Sequence, residues 1–204
     1  MKTGVLLSGG IDSSSLAFWK RPAVCFTVNY GQRPAQAEIA AASHVAGQIG
    51  SRHEVLSIDC SSLGSGDLTI TPALRFAPAP EWWPFRNQLL ITFCAIRALE
   101  LEIGELMLGS VRSDAIHGDG TKGFFTAMRS LLACQEGALS LATPAIELSS
   151  EELVSVSGIP IDSLLLTHSC HTGDLACGSC RGCQRRFRTL QLLGIEASTP
   201  TVDD

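Results

Sequence analysis

Short continuous apolar runs alternate along the chain with longer stretches in which apolar residues recur every three or four positions. The first run, residues 5–7 (Val-Leu-Leu), opens into Ser-Gly-Gly and then a helical stretch over 12–20 that Arg21-Pro22 ends. An unbroken apolar run bounded by turn residues reads as a buried strand, and a period near 3.6 reads as a helix. Residues 23–28 repeat the strand pattern. Residues 35–50 read as an alanine-rich helix with Ile39, Val45 and Ile49 as its larger apolar positions and a glycine at its end, and 53–58 as a third strand. A βαβαβ opening predicts an α/β fold, a doubly wound and mostly parallel sheet with flanking helices.

The pattern dissolves over 60–84, where Pro72, Pro78, Pro80, Pro84 and the pair Trp82-Trp83 predict an irregular excursion: a lid, a subunit contact, or a loop clamped to the surface by its aromatics. Periodicity returns as a helix over 88–102, with Leu89, Phe93, Ile96 and Leu99 as its apolar stripe, and a strand over 105–108 follows. A further helix over 121–136 is expected to face inward with Phe125, Met128, Leu131 and Leu132. Residues 142–148 read as extended around Pro144, and Ser149 with Glu152 three positions later is a capping box that starts a short helix.

With 204 residues the chain can build one α/β domain, 1–167, and a small C-terminal element, 168–204. A formal net charge of −5 argues against a protein that wraps nucleic acid. The longest apolar stretch, 89–101, is broken by Thr92 and Arg97 and falls short of the ~18 residues a membrane span needs, so no membrane partner is expected. The first strand enters its loop at Ser8, which leaves no room for a signal peptide, and a cytoplasmic location is expected. Disulfides are rare there, so clustered cysteines are expected to be metal ligands and the isolated Cys25, Cys60, Cys94 and Cys134 to be packing residues.

Two stretches carry chemistry. In Ser8-Gly9-Gly10-Ile11-Asp12-Ser13-Ser14, the glycines let the backbone turn close to a ligand, the serines supply hydroxyls, and the free N–H groups of the following helix point at the same spot. Such a bend suits a phosphate, although it lacks the longer loop and the Lys of a P-loop. Ligands of open parallel sheets sit beyond the carboxyl ends of the strands, so the loops at 29–34 and 109–114 are expected to face the same pocket. Near the other end, Cys170, Cys177, Cys180 and Cys183 place four thiols around Gly173, Gly178 and Gly182. That set suits a structural zinc ion; an iron–sulfur cluster and a metal-free thiol group are the rivals, and His168 and His171 are competing ligands or neighbours. Arg181, Arg185, Arg186 and Arg188 would offset the thiolate charge.

The Ser-Gly-Gly-x-Asp-Ser bend resembles the PP-loop of the N-type ATP pyrophosphatases, and with the Cys-x6-Cys-x2-Cys-x2-Cys loop the chain resembles the 7-cyano-7-deazaguanine synthase family. Tyr30-Gly31-Gln32-Arg33, Pro84-x-Arg86-Asn87, Gly109 with Asp114, Thr143-Pro144 and Cys183-x-x-Arg186 match in order, so the resemblance covers nearly the whole chain. It implies an adenine nucleotide α-hydrolase-like fold and an ATP-dependent ligase that adenylates the carboxylate of 7-carboxy-7-deazaguanine. Ammonia then gives the amide, and a second ATP the nitrile. ATP is expected on Ser8, Gly9, Gly10, Asp12, Ser13, Ser14, Tyr30 and Gln32, with Mg²⁺ near Asp12. Arg86 and Lys122 are candidate contacts to phosphate or carboxylate, and Arg86, Asn87 and Asp114 candidate substrate contacts, Asp114 toward the donor face of a guanine-like ring. For Arg86 and Asp114 a plain surface charge pair is the alternative. Zinc on the four cysteines and a homodimer are also expected.

The family usually has Asp at Asn29, His at Pro34, Lys at Ser150 and Tyr-Pro-Asp-Cys where this chain has Gly118-Asp119-Gly120-Thr121, and its excursion before Pro84 is longer. These departures fit a reaction that stops at the amide, or transfer of the acyl group to an amine on a protein or nucleic acid. A nucleotide-binding regulator without turnover is the reading from another class.

Overall fold

The computed structural model describes residues 1–195; the end of the C-terminal element, 196–204, lies outside the described residues. Five strands, β1 (Thr3–Leu6), β2 (Val24–Asn29), β3 (Arg52–Ser57), β4 (Glu105–Leu108) and β5 (Ser140–Ala142), form one sheet in the order β3-β2-β1-β4-β5. Every pairing is parallel. Leu6 at the end of β1 stands opposite Phe26 of β2 and Leu108 of β4, so these strands end near one edge and their following loops open together. The winding reverses between β1 and β4, the crevice in which open sheets bind ligands.

Helices α1 (Ile11–Lys20) and α2 (Ala35–Ile49) cover one face, and α3 (Arg86–Glu100) and α4 (Lys122–Ala133) the other. Side chains alternate accordingly: Val5, Cys25 and Met107 pack with Leu16 and Val45, while Phe26, Leu106 and Leu108 pack with Ile91 and Phe125. Both faces are covered, hence the unbroken apolar runs. α1 ends at Arg21 in the left-handed region (φ 47°) before Pro22, and α2 at Gly50 (φ 69°). The capping box at the start of α5 (Ser150–Ser157) is formed: Glu152 N–H donates to Ser149 Oγ at 3.2 Å and Ser149 N–H to Glu152 Oε2 at 2.7 Å. Two further helices, α6 (Ile161–Leu165) and α7 (Arg181–Leu192), complete the described chain, none of whose helices is long and apolar enough to cross a membrane.

Three details depart from the sequence pattern. The stripe of α3 that packs on the sheet is Ile91, Cys94, Ala95 and Ala98, whereas Ile96 is 60% and Leu99 43% exposed. Small residues bring the helix close to the sheet, and close packing, not side-chain size, selects the buried face. On α4, Phe125, Met128 and Leu132 are buried but Leu131 is exposed, as is Cys134, so that cysteine is no packing residue. The fifth strand precedes Pro144, and 143–148 turns, with Ile146 N–H bonded to Thr143 O and Leu148 N–H to Ala145 O. Proline has no N–H to give a neighbouring strand.

The excursion carries two short 3₁₀ turns, Ser61–Leu63 and Gly66–Leu68, and is pinned by Trp83, which is fully buried with its ring edge-on to Tyr30 at 4.8 Å. Trp83→Ala is expected to cost about 3–5 kcal/mol in unfolding free energy, measured by urea denaturation. A loss under 1 kcal/mol would mean that the excursion is not anchored there.

Candidate active site and cysteine cluster

The bend after β1 has the form an anion site requires. Gly9 sits at φ +75°, and a Cβ there would come within 2.9 Å of Ala41 Cβ, so only glycine lets the loop lie against α2. The Ser8 and Ser13 hydroxyls meet at 3.0 Å, and Ser13 Oγ also receives Ser8 N–H at 3.2 Å. No side chain caps α1 at Gly10, which leaves first-turn N–H groups open toward the loop.

A cavity of about 260 Å³ lies at this end of the sheet, and Ser8, Gly10, Asp12, Ser13, Tyr30, Arg86, Asn87 and Asp114 all line it. Four expected residues do not. Gly9 lies behind the loop, and Ser14 is buried in α1 with its hydroxyl unpartnered. Gln32 is consumed structurally: its Nε2 donates to Val28 O and Glu38 Oε2, and its Oε1 accepts Tyr30 N–H. Lys122 starts α4 at the surface, 65% exposed and paired with Glu147, so the structure does not bring it to the cavity. Its backbone follows Thr121, whose hydroxyl caps α4, and that cap points the side chain away.

Within the cavity the charges are ordered. Asp12 is buried; its Oδ2 accepts from Arg185 at 2.5 Å while Oδ1 has no partner. Burial pushes the Asp12 carboxyl above its ordinary range against the pull of Arg185. Arg185 also donates to Asp114 Oδ1 at 2.7 Å, and Asp114 Oδ2 accepts Val111 N–H at 3.0 Å. Each oxygen of Asp114 thus holds one donor within the chain and keeps further acceptor capacity. Arg86 makes no ion pair among the described residues; burial works against its charge, but Tyr30, Asp119, Glu38 and Asp114 around it keep its pKa raised. Asn87 ties α3 to the 118–120 turn, donating N–H to Asp119 Oδ2 and Nδ2–H to Asp119 O.

Sequence reasoning missed Glu38, Glu81, His117, Arg181 and Arg185, all on the cavity wall. The two arginines carried a signal, since four residues apart on α7 they share one helix face, but they neutralise Glu81, Asp12 and Asp114, not the thiolates. Glu81 gave none, because it sits in an irregular loop.

The four clustered cysteines converge: their sulfurs lie within 4.8 Å of one another, with Cys177–Cys183 and Cys170–Cys180 at 4.0 Å. One ion with bonds of about 2.3 Å to four thiolates needs sulfurs about 3.8 Å apart, so the set can hold a metal ion. Backbone N–H groups of His171, Cys180 and Cys183 donate to sulfurs at 3.3–3.4 Å, which favours thiolates. All four are free thiols, and His168 and His171 are not among the converging ligands.

The model of the family described as queuosine biosynthesis protein QueC matches residues 2–194. The chain belongs to the QueC family. Among relatives, the 7-cyano-7-deazaguanine synthase of Desulforudis audaxviator is 33% identical over 95% of this chain and 98% of its own length. That of Methanothermobacter thermautotrophicus is 28% identical over 98% of each. Among solved structures, NMN synthetase from Francisella tularensis has a TM-score of 0.53 at 15% identity, covering 97% of this chain and 79% of that one, a likeness of fold alone. The QueC-family membership covers both the serine-glycine bend and the cysteine cluster.

Glu38 yields a prediction. Burial raises its carboxyl to about 7, against the hydrogen bond from Gln32 and the charge of Arg86. A folded-state pKa above the unfolded one means that its stabilising contribution is complete below about pH 4 and is lost as pH rises through about 7. Wild type should therefore lose stability relative to Glu38→Gln between pH 5 and pH 8, read by urea denaturation; a difference independent of pH would rule out the buried neutral carboxyl.

Proposed function

We propose that this chain is an ATP-dependent carbon–nitrogen ligase that adenylates the carboxylate of 7-carboxy-7-deazaguanine and passes the acyl group to ammonia with loss of AMP, giving the amide, whose oxygen a second ATP adenylates so that it leaves with AMP and the nitrile forms. One observation carries the reading: an uncapped serine-glycine bend and an Arg86 guanidinium without an ion pair line the same cavity. A carboxylate is a poor electrophile until one oxygen becomes a leaving group. The bend would hold the departing pyrophosphate with Ser8, Ser13 and the first N–H groups of α1, while Arg86 would hold the carboxylate or α-phosphate against it. The names of the relatives support the substrate.

The unpartnered Oδ1 of Asp12 is the oxygen that fits Mg²⁺, which when bound would share the triphosphate charge. Zinc is the ion proposed for Cys170, Cys177, Cys180 and Cys183, because a span of 4.8 Å suits one tetrahedral ion and not several irons. With all four positions taken by protein it would be structural.

Purified protein incubated with ATP, Mg²⁺, ammonia and the acid should release AMP and pyrophosphate and form amide or nitrile by mass spectrometry; no acid-dependent AMP would reject the reading. Asp12→Ala should lower turnover by about 10²–10³-fold. Cys180→Ser should bind less than the one zinc per chain expected of wild type and unfold, because structural zinc contributes folding free energy on the order of 10 kcal/mol; a stable, zinc-free variant would contradict the structural role.

A further inference from the structure

The cavity has a second wall that the activation chemistry does not use. Glu81, from the excursion, is 4% exposed, and its Oε1 accepts from both Arg181 at 2.8 Å and His117 Nε2 at 3.2 Å. Its other oxygen, Oε2, is buried without a partner, and so is Nδ1 of His117, itself 9% exposed. Against the cost of burial, the hydrogen bond from His117 and then the charge of Arg181 hold the Glu81 carboxyl well below its usual range, and an ionised carboxylate only accepts hydrogen bonds. The His117 Nε2 therefore carries the proton of their hydrogen bond, and the ring holds the Glu81 carboxylate in place. A buried acceptor on a charged group, Glu81 Oε2, is thus left without a partner on a residue that lines the cavity. A buried polar atom without a partner is costly, and a ligand that donates to it recovers that cost.

We infer that Glu81 and His117 form the subsite that recognises the N–H donor edge of the substrate ring, with Glu81 the specificity-determining residue. The inference rests on the proposed function for the orientation of the substrate: carboxylate toward Arg86 and the bend, amino edge toward Glu81. A 2-aminopyrimidinone ring presents a ring N–H beside an exocyclic NH₂, donors of the kind that Glu81 Oε2 lacks. Of the two acidic residues, Glu81 has the oxygen without any partner, whereas each oxygen of Asp114 already holds a donor within the chain.

Titration calorimetry tests this with 7-carboxy-7-deazaguanine and its 2-desamino analogue, on wild type, Glu81→Gln and His117→Ala, alongside acid-dependent AMP release. Wild type should bind the analogue about 10- to 100-fold more weakly than the parent. Glu81→Gln should weaken the parent by a similar factor, leave the analogue nearly unchanged, and keep the wild-type affinity for ATP. If Glu81→Gln does not fold, His117→Ala carries the same comparison. Equal affinity of wild type for the two rings, or discrimination retained in the variants, overturns the inference while AMP release keeps the proposed function. Discriminating binding without AMP release supports the subsite and rejects the proposed function. If wild type binds neither ring, the subsite falls whatever the turnover.

Discussion

The guanidinium of Arg185, held between Asp12 of the first loop and Asp114 of the loop after β4, is the contact on which the geometry of the site depends. Two carboxylates brought together in a poorly solvated crevice repel each other, and a cation shared between them lets both lie at the ligand edge of the sheet. Such an arrangement is weak evidence for stability, because desolvating three charges offsets most of their attraction. Its consequence is positional: it fixes the helix start that follows the serine-glycine bend relative to the β4 loop. The cation comes from α7, whose first turn is set by the cysteines, with Cys180 Sγ accepting Cys183 N–H at the helix N-terminus. The cysteine cluster therefore orients the face that carries Arg181 and Arg185.

The same C-terminal element reaches the bend by backbone as well. His168 N–H donates to Gly9 O at 2.9 Å, and Asp174 Oδ1 accepts Ala37 N–H at the start of α2. The serine-glycine bend is thus completed by residues far apart in sequence, and Cys170 of the cysteine cluster lies two residues from a hydrogen bond that shapes it. Loss of order in the cysteine loop would reach the bend through these contacts without any movement of the sheet.

How much of this could be read in the sequence depended on how local the determining physics is. β4 and the capping box at Ser149 were legible because each is specified by neighbouring residues: an apolar run in one case, a hydroxyl and a carboxylate three positions apart in the other. The cluster of four cysteines was legible from spacing and glycines. The buried face of α3 was not, since Cys94 and Ala95 pack inward and Ile96 outward for reasons of fit against a sheet that the helix sequence does not contain. Nor were the partners of Arg185, which come from two loops far away in sequence. Gln32 shows the converse: it matched a motif, but its amide is spent on Val28 O and Glu38.

The cavity wall away from the bend is built from three separate segments: Glu81 of the excursion, His117 before the 118–120 turn, and Arg181 of α7. That turn is tied into the site, because Asp119 holds the start of α3 through Asn87, and a Cβ at Gly120 would run into the Asp114 carbonyl. Close approach of that turn to Asp114 requires glycine at 120 and leaves His117 directed toward Glu81. The bend and the acceptor wall are thus separate constructions, one carried by the loop after β1 and the other by the excursion, the 117–120 turn and the start of α7. In physical terms, donors suited to a phosphate and acceptors suited to a ring can vary independently, since the two sets lie on different loops and meet at α7, where Arg185 holds Asp12 and Arg181 holds Glu81.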